Sequence, residues 1–225
     1  MKLTFYGGAK SVTGANYLLE TENARILIDC GLNQGSDYCE NFNFKPFPYD
    51  PKIIAAVLIT HSHIDHIGRL PKLYKDGFRG QIFSTPPTKD FSEELLIDSE
   101  HILNKEAKEK NLAPIYDLND ISRTMALWRK IKYHQKFQIR DCEIEFYDAG
   151  HILGSSFIVV SAEGKKIVFS GDLGNVSAPL IRDTEFIKKA DYVLIESAYG
   201  GKIHEDLGAS KGALENLIEE IAKIG

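Results

Sequence analysis

The chain has 225 residues, 43% of them hydrophobic and 26% charged, an ordinary composition for a globular protein and enough length to bury a full core. A formal net charge of −5 gives no sign of a surface built to coat nucleic acid, although a single phosphodiester can still be met through metal ions that supply local positive charge. Cys30, Cys39 and Cys142 are odd in number and lack a Cys-x-x-Cys spacing, which argues against a disulfide framework or a cysteine–zinc site and points to a reducing, cytoplasmic compartment. The N-terminus has no secretory apolar core, and no apolar run is long enough to span a bilayer, so no membrane partner is expected.

In chain order, Leu3 to Tyr6 predicts a short opening strand, followed by Gly7-Gly8-Ala9-Lys10-Ser11-Val12-Thr13-Gly14. Those glycines suit either a loop at the rim of a site or a plain turn. Asn16 to Glu20 and Arg25 to Asp29 read as a hairpin. Asp29, at its end, can orient a metal-bound imidazole or cap a turn. Residues 32 to 52 read as a long loop whose aromatics suit stacking on a base or, the favoured reading, packing over the core edge. Ile53 to Ile59 is a short, branched apolar run and reads as a buried strand.

Directly after it comes His61-Ser62-His63-Ile64-Asp65-His66. Side chains two apart on an extended chain point the same way, so His61 and His63 can share one metal. Asp65 and His66 lie past the strand end, where a turn aims them at a second point. Imidazole and carboxylate are ligands that zinc accepts readily. Two such clusters suggest two metals sharing a bridging hydroxide, roughly 3.5–4 Å apart. A polar loop of solvated histidines is the plain alternative; four metal-capable side chains in six positions at a strand end argue against it.

Beyond the motif, Ile67 to Tyr74 predicts a short helix and Gly80 to Ser84 a strand. Thr88 caps an expected helix running to about Lys110, with Phe91, Leu95, Leu96, Ile102 and Leu103 on its buried side. A second helix is expected over Asn119 to Ile131. His101 and His134 have no ligand-like neighbours. Phe137 to Ile139, Glu143 to Tyr147, Ser156 to Val160, Lys166 to Ser170 and Asp191 to Glu196 read as strands, and Ala209 to Ile224 as an amphipathic helix. Between strands, Gly150 and Gly154 free the backbone around His151, a third ligand for the metal of His61 and His63. Asp172, in Gly171-Asp172-Leu173-Gly174, suits a carboxylate between two cations.

With Asp29, His151 and Asp172 following in order, the stretch His61 to His66 resembles the signature of the metallo-β-lactamase superfamily. Val12-Thr13-Gly14, Leu27-Ile28-Asp29-Cys30-Gly31, Gly68-Arg69-Leu70-Pro71, Gly150-His151-Ile152-Leu153-Gly154-Ser155 and Phe169-Ser170-Gly171-Asp172-Leu173-Gly174 resemble its β-CASP branch of RNA-processing nucleases. Glu196-Ser197-Ala198-Tyr199-Gly200 resembles that branch's first own motif, with Ala198 where Thr is usual and His204 a short distance on. The resemblance implies an α/β (α+β) fold, an αββα sandwich spanning residues 1–225 as one N-terminal domain. It also implies a sandwich incomplete at the C-terminus, because the branch's cap domain begins about where this chain ends.

The resemblance further implies that His61, His63 and His151 hold one zinc, that Asp65 and His66 hold another, and that Asp172 bridges them. Asp29 lies behind the ligands and Glu196 supports a catalytic histidine of the cap, which makes Asp65, Asp172 and Glu196 the catalytic carboxylates. The implied activity is endo- or 5′-exonucleolytic hydrolysis of single-stranded RNA with zinc or manganese, by a homodimer or a subunit of a processing complex. Two other readings stand beside it. A small-molecule hydrolase of thioesters or lactones would leave Glu196 to Gly200 without a role. A non-catalytic partner subunit would be expected to have lost ligands, and here they are present.

Overall fold

In the computed structural model, which describes residues 1–176, 179–202 and 207–224, the branched apolar runs become strands of two facing sheets. The first sheet holds β1 (Lys2–Gly7), β2 (Asn16–Glu20), β3 (Arg25–Ile28), β4 (Ala56–Leu58), β5 (Gln81–Ser84) and β6 (Trp128–Lys130), side by side in that order. β1, β2 and β3 pair antiparallel, whereas β3 to β6 run parallel, and each parallel step requires a crossover. α1 (Asp37–Phe44) makes the first. α2 (Ile64–Ile67) and α3 (Leu70–Lys75) make the second, α4 (Pro86–Glu109) and α5 (Leu118–Ala126) the third.

The second sheet holds β7 (Phe137–Ile139), β8 (Cys142–Asp148), β9 (Ser156–Ala162), β10 (Lys165–Phe169) and β11 (Tyr192–Leu194), neighbours in sequence order. Its pairs are antiparallel apart from β10 with β11. α6 (Leu207–Ile224) follows. Among the described residues no helix is long and apolar enough to cross a membrane.

Alternation sorts the first sheet's side chains between two cores. Leu27 and Val57 face the helices with Leu70, Leu73, Ile82 and Trp128. Ile26, Ile28, Ala56 and Leu58 face Ile144, Phe146, Ile158 and Phe169 of the second sheet. A parallel strand covered on both faces reads as an unbroken apolar run, the pattern seen before His61. On the outer face of the second sheet Phe157, Val159 and Val168 lie under Ile187 and Ala190 of a coil segment. The architecture is therefore helices, sheet, sheet, the first three layers of the expected sandwich. Leu214, Leu217, Ile218 and Ile221 along α6 stay more than half exposed.

Several boundaries differ from the expectations. Residues 32 to 52 contain α1, and Pro51–Ile53 form a 3-10 turn capped by Asp50, which shortens the run Ile53 to Ile59 to the strand Ala56–Leu58. The expected helix Ile67 to Tyr74 is two helices, the second with Pro71 in its first turn, where a missing N–H costs nothing. Thr85, not Thr88, precedes α4; both hydroxyls instead donate to the Gly154 carbonyl. Phe91 and Ile102 are 44% and 53% exposed, so the buried side of α4 is narrower than the apolar pattern suggested. α5 starts at a capping box on Asp117 and stops at Ala126. Trp128 then joins β5 as a strand, its indole N–H donating to Ser84 Oγ. The last strand is Tyr192–Leu194 rather than Asp191 to Glu196.

Candidate metal centre

The site lies where the chain leaves β3, β4, β8, β10 and β11. β4 ends at Leu58, so His61 and His63 stand just past the strand, on extended backbone that turns into α2 at Ile64. Asp29, directly after β3, has φ +58, a left-handed conformation that costs a non-glycine residue free energy and marks a constrained position. Its carboxylate is 1% exposed. Oδ1 accepts from the Thr60 N–H and Oδ2 from the Thr60 hydroxyl, both at 2.8 Å. His66 Nδ1 also lies 2.8 Å from Oδ2.

Those bonds set tautomers. Asp29 only accepts when ionised, so His66 carries its proton on Nδ1 and turns Nε2 toward the site. The Thr60 hydroxyl has one hydrogen and gives it to Asp29. It therefore accepts from His61 Nδ1, 3.0 Å away, which leaves the His61 Nε2 lone pair facing inward. Asp29 thus orients one imidazole directly and a second through Thr60, the arrangement that holds metal-binding histidines from behind.

His63 Nδ1 is 3.0 Å from His61 Nε2 and 3.2 Å from His151 Nε2. One proton can serve one of those contacts, whereas a shared cation serves all three nitrogens. The donor atoms of His61, His63, His151 and Asp172 lie within 4.8 Å of one another. This is a donor set that fits a divalent metal. His66 Nε2 faces a second group, 3.4 Å from Asp172 Oδ1 and 3.8 Å from Asp65 Oδ2. Asp172 stands between them, with Oδ2 3.7 Å from both His61 and His151 Nε2.

Electrostatics follow the geometry. Burial, reinforced by neighbouring imidazoles, pushes His61 well below the usual histidine range, and burial lowers His151 as well. Neutral imidazole is the form that binds metal. Burial works against protonation of His66 too, but Asp29 and Asp172 outweigh it and raise this histidine to about 10; a divalent ion on Nε2 would take the place of the second proton and leave the one on Nδ1. Burial works to raise Asp172, yet the bond and charge of His66 hold its carboxyl below the usual range.

All seven expected residues of the centre, His61, His63, Asp65, His66, His151, Asp172 and Asp29, are brought together. Glu196 follows β11, its Oε1 accepting from the Leu173 N–H at 2.9 Å. His204 lies outside the described residues. His101 is exposed, and His134 pairs with Glu185 at 3.1 Å, away from the centre. Three contributors went unread in the sequence. Thr60 is one, although a hydroxyl residue directly before His61 is a signal. Ser155 is another; its Oγ accepts from the His151 and Ile152 N–H groups at 3.0 and 3.2 Å. Tyr17 lines the cleft that opens beside the centre, a cavity of about 340 Å³ bounded also by Lys10, Ser11, His66, Asp172 and Glu196. The Gly7 to Gly14 loop is thus a rim.

Comparison with known proteins is consistent with this geometry. Residues 18–197 match the model of the metallo-beta-lactamase superfamily domain. The chain is similar to Ribonuclease TTHA0252 of Thermus thermophilus, 36% identical over 204 residues that make up 91% of this chain and 45% of that protein. It is also similar to the RNase J-like protein of Methanocaldococcus jannaschii, 33% identical over 224 residues, 98% of this chain and 48% of that one. The chain spans about half the length of these relatives. A protein of unknown function from Enterococcus faecalis has a crystal structure with TM-score 0.52 and 19% identity, over 76% of this chain and 43% of the other.

Proposed function

The chain belongs to the metallo-β-lactamase superfamily, and from that premise we propose that it is the metal-binding part of an RNA-processing nuclease of the β-CASP branch. It hydrolyses phosphodiester bonds of single-stranded RNA, with two divalent cations, zinc foremost and manganese in its place. The observation that carries this reading is the convergence of His61, His63, His151 and Asp172 within 4.8 Å, beside the second group of His66 and Asp65. RNA as the substrate rests on the relatives named ribonucleases.

Divalent ions bound there supply Lewis acidity, making water a nucleophile near neutral pH and offsetting charge on the phosphate oxygens. His61, His63 and His151 would hold one ion and Asp65 with His66 the other, with Asp172 within reach of both groups. Asp29 keeps the His66 proton on Nδ1 and, through Thr60, the His61 proton on Nδ1, so that each Nε2 stays available. The rim residue Lys10 brings positive charge to the cleft for a backbone phosphate. Residues 1–225 act as one metal-binding domain.

Cleavage of a 5′-labelled single-stranded RNA with added zinc or manganese tests the reading, beside the His63→Ala variant. The parent is expected to cleave and the variant to lose at least about 100-fold in rate, the upper end of what changes behind metal ligands cost. Undiminished cleavage by the variant overturns the site. Metal binding without cleavage by the parent places the missing chemistry in the remaining half that the relatives possess.

A further inference from the structure

Asp172 sits on a turn that has no sheet ladder of its own. The β10–β11 pairing ends at Phe169 opposite Leu194, and Ser170 and Glu196 lie just beyond it. Gly171, at φ +54, presses against Thr60 so closely that a Cβ there would lie 2.7 Å from the Thr60 Cβ. Gly174 donates to the Ala149 carbonyl at 2.9 Å. Between these anchors the backbone is held by the Leu173 N–H donating to Glu196 Oε1 at 2.9 Å.

Glu196 is itself fixed. Its N–H donates to Ser170 Oγ at 3.0 Å, and the Ser170 N–H to the Leu194 carbonyl at 2.9 Å. Its second oxygen, Oε2, accepts from the Ala198 N–H at 3.4 Å. Residues 170–173 and 194–198 are thereby laced together by side chains where the ladder stops. An ionised acceptor makes such a bond stronger than a neutral one.

We infer that Glu196 is a positioning residue for Asp172: its carboxylate, accepting from Leu173, holds the turn so that Asp172 reaches both ligand groups. This rests on the metal reading of the site. The role is mechanical and lies within these residues, separate from any contact Glu196 makes with substrate. Asp29 is the counterpart on the first sheet, where it accepts from the Thr60 N–H in the same way.

The test uses the parent, Glu196→Gln and Glu196→Ala. Glutamine keeps an oxygen for Leu173, alanine does not, and the side chain is partly exposed, so truncation leaves no sealed cavity. In the metal-free proteins, hydrogen exchange at the Leu173 amide is expected to be slow in the parent and Gln variant and about tenfold faster in Ala, with little change in melting temperature. Zinc affinity, read by chelator competition, is expected to fall about 10- to 100-fold in Ala and to stay near the parent value in Gln. Equal exchange in all three proteins overturns the brace. A brace confirmed by exchange with parental zinc affinity in Ala overturns the positioning role, as does a Gln variant as weak as Ala. A protected Leu173 amide in a parent that binds no zinc sinks the metal reading, and the positioning role with it.

Discussion

The two sheets build their shares of the centre by different means. On the first, the side chains of Asp29 and His61 are 1% exposed, while on the second His151 and Asp172 are 25% and 32% exposed. Asp29, Thr60, His61 and His66 form a dry network in which each polar hydrogen has an acceptor. His151 and Asp172 ride on more exposed turns, braced by Ser155 beside the one and by Glu196 beside the other. In low dielectric a satisfied network is rigid, and breaking it leaves unpaired groups that water cannot reach. A half-exposed turn lets water replace a lost bond. The first half should therefore govern folding and binding together, and the second chiefly binding.

Asp29→Ala tests that contrast most severely. It strips the acceptor from Thr60 and His66, and is expected to lower the stability of the metal-free protein by about 3 kcal/mol or more in urea unfolding. A loss under about 1 kcal/mol would show that water enters and that the two halves are alike.

The depth of the first half also has a pH signature. Burial pushes the Cys30 thiol up to about 12, so the folded protein keeps a proton that the unfolded chain loses above its ordinary value of about 8.5. This contribution is complete below that pH and is lost progressively as the pH rises toward 12, at up to roughly 1.4 kcal/mol per pH unit. Cys30→Ala should flatten the alkaline limb of the stability profile by that amount, and an unchanged slope would mean the thiol is not sealed.

Ser155→Ala sharpens the comparison from the other side. Ser155 is buried, but the residues whose N–H groups it accepts, His151 and Ile152, are partly exposed, so water can take over those groups and the expected stability loss is roughly 1 kcal/mol. Metal affinity should nevertheless fall about tenfold. A stability loss as large as that of Asp29→Ala, in the same urea measurement, would erase the distinction.

Much of the centre was legible because its chemistry is local. Four metal-capable side chains fall within residues 61–66, after a run whose two-sided burial shows as unbroken apolarity. Likewise the hairpin from Asn16 places Asp29 at a strand end. The helix expected through Ile131 was misread because Trp128 is apolar in either period, and its pairing with β5 and bond to Ser84 made it a strand. Phe91 and Ile102 fit an amphipathic stripe, yet the parts packed against α4 do not reach them. The sequence by itself determined which residues can bind metal and that they gather at strand ends, since spacing and periodicity are properties of the chain. Only the tertiary structure decided that Asp172 stands between two ligand groups, that Thr60 passes the influence of Asp29 to His61, and that Glu196 holds Leu173. The last two depend on which N–H a distant carboxylate meets, over separations of 23 to 37 residues, and the first on the packing of the two sheets that brings Asp172 to His61 and His66.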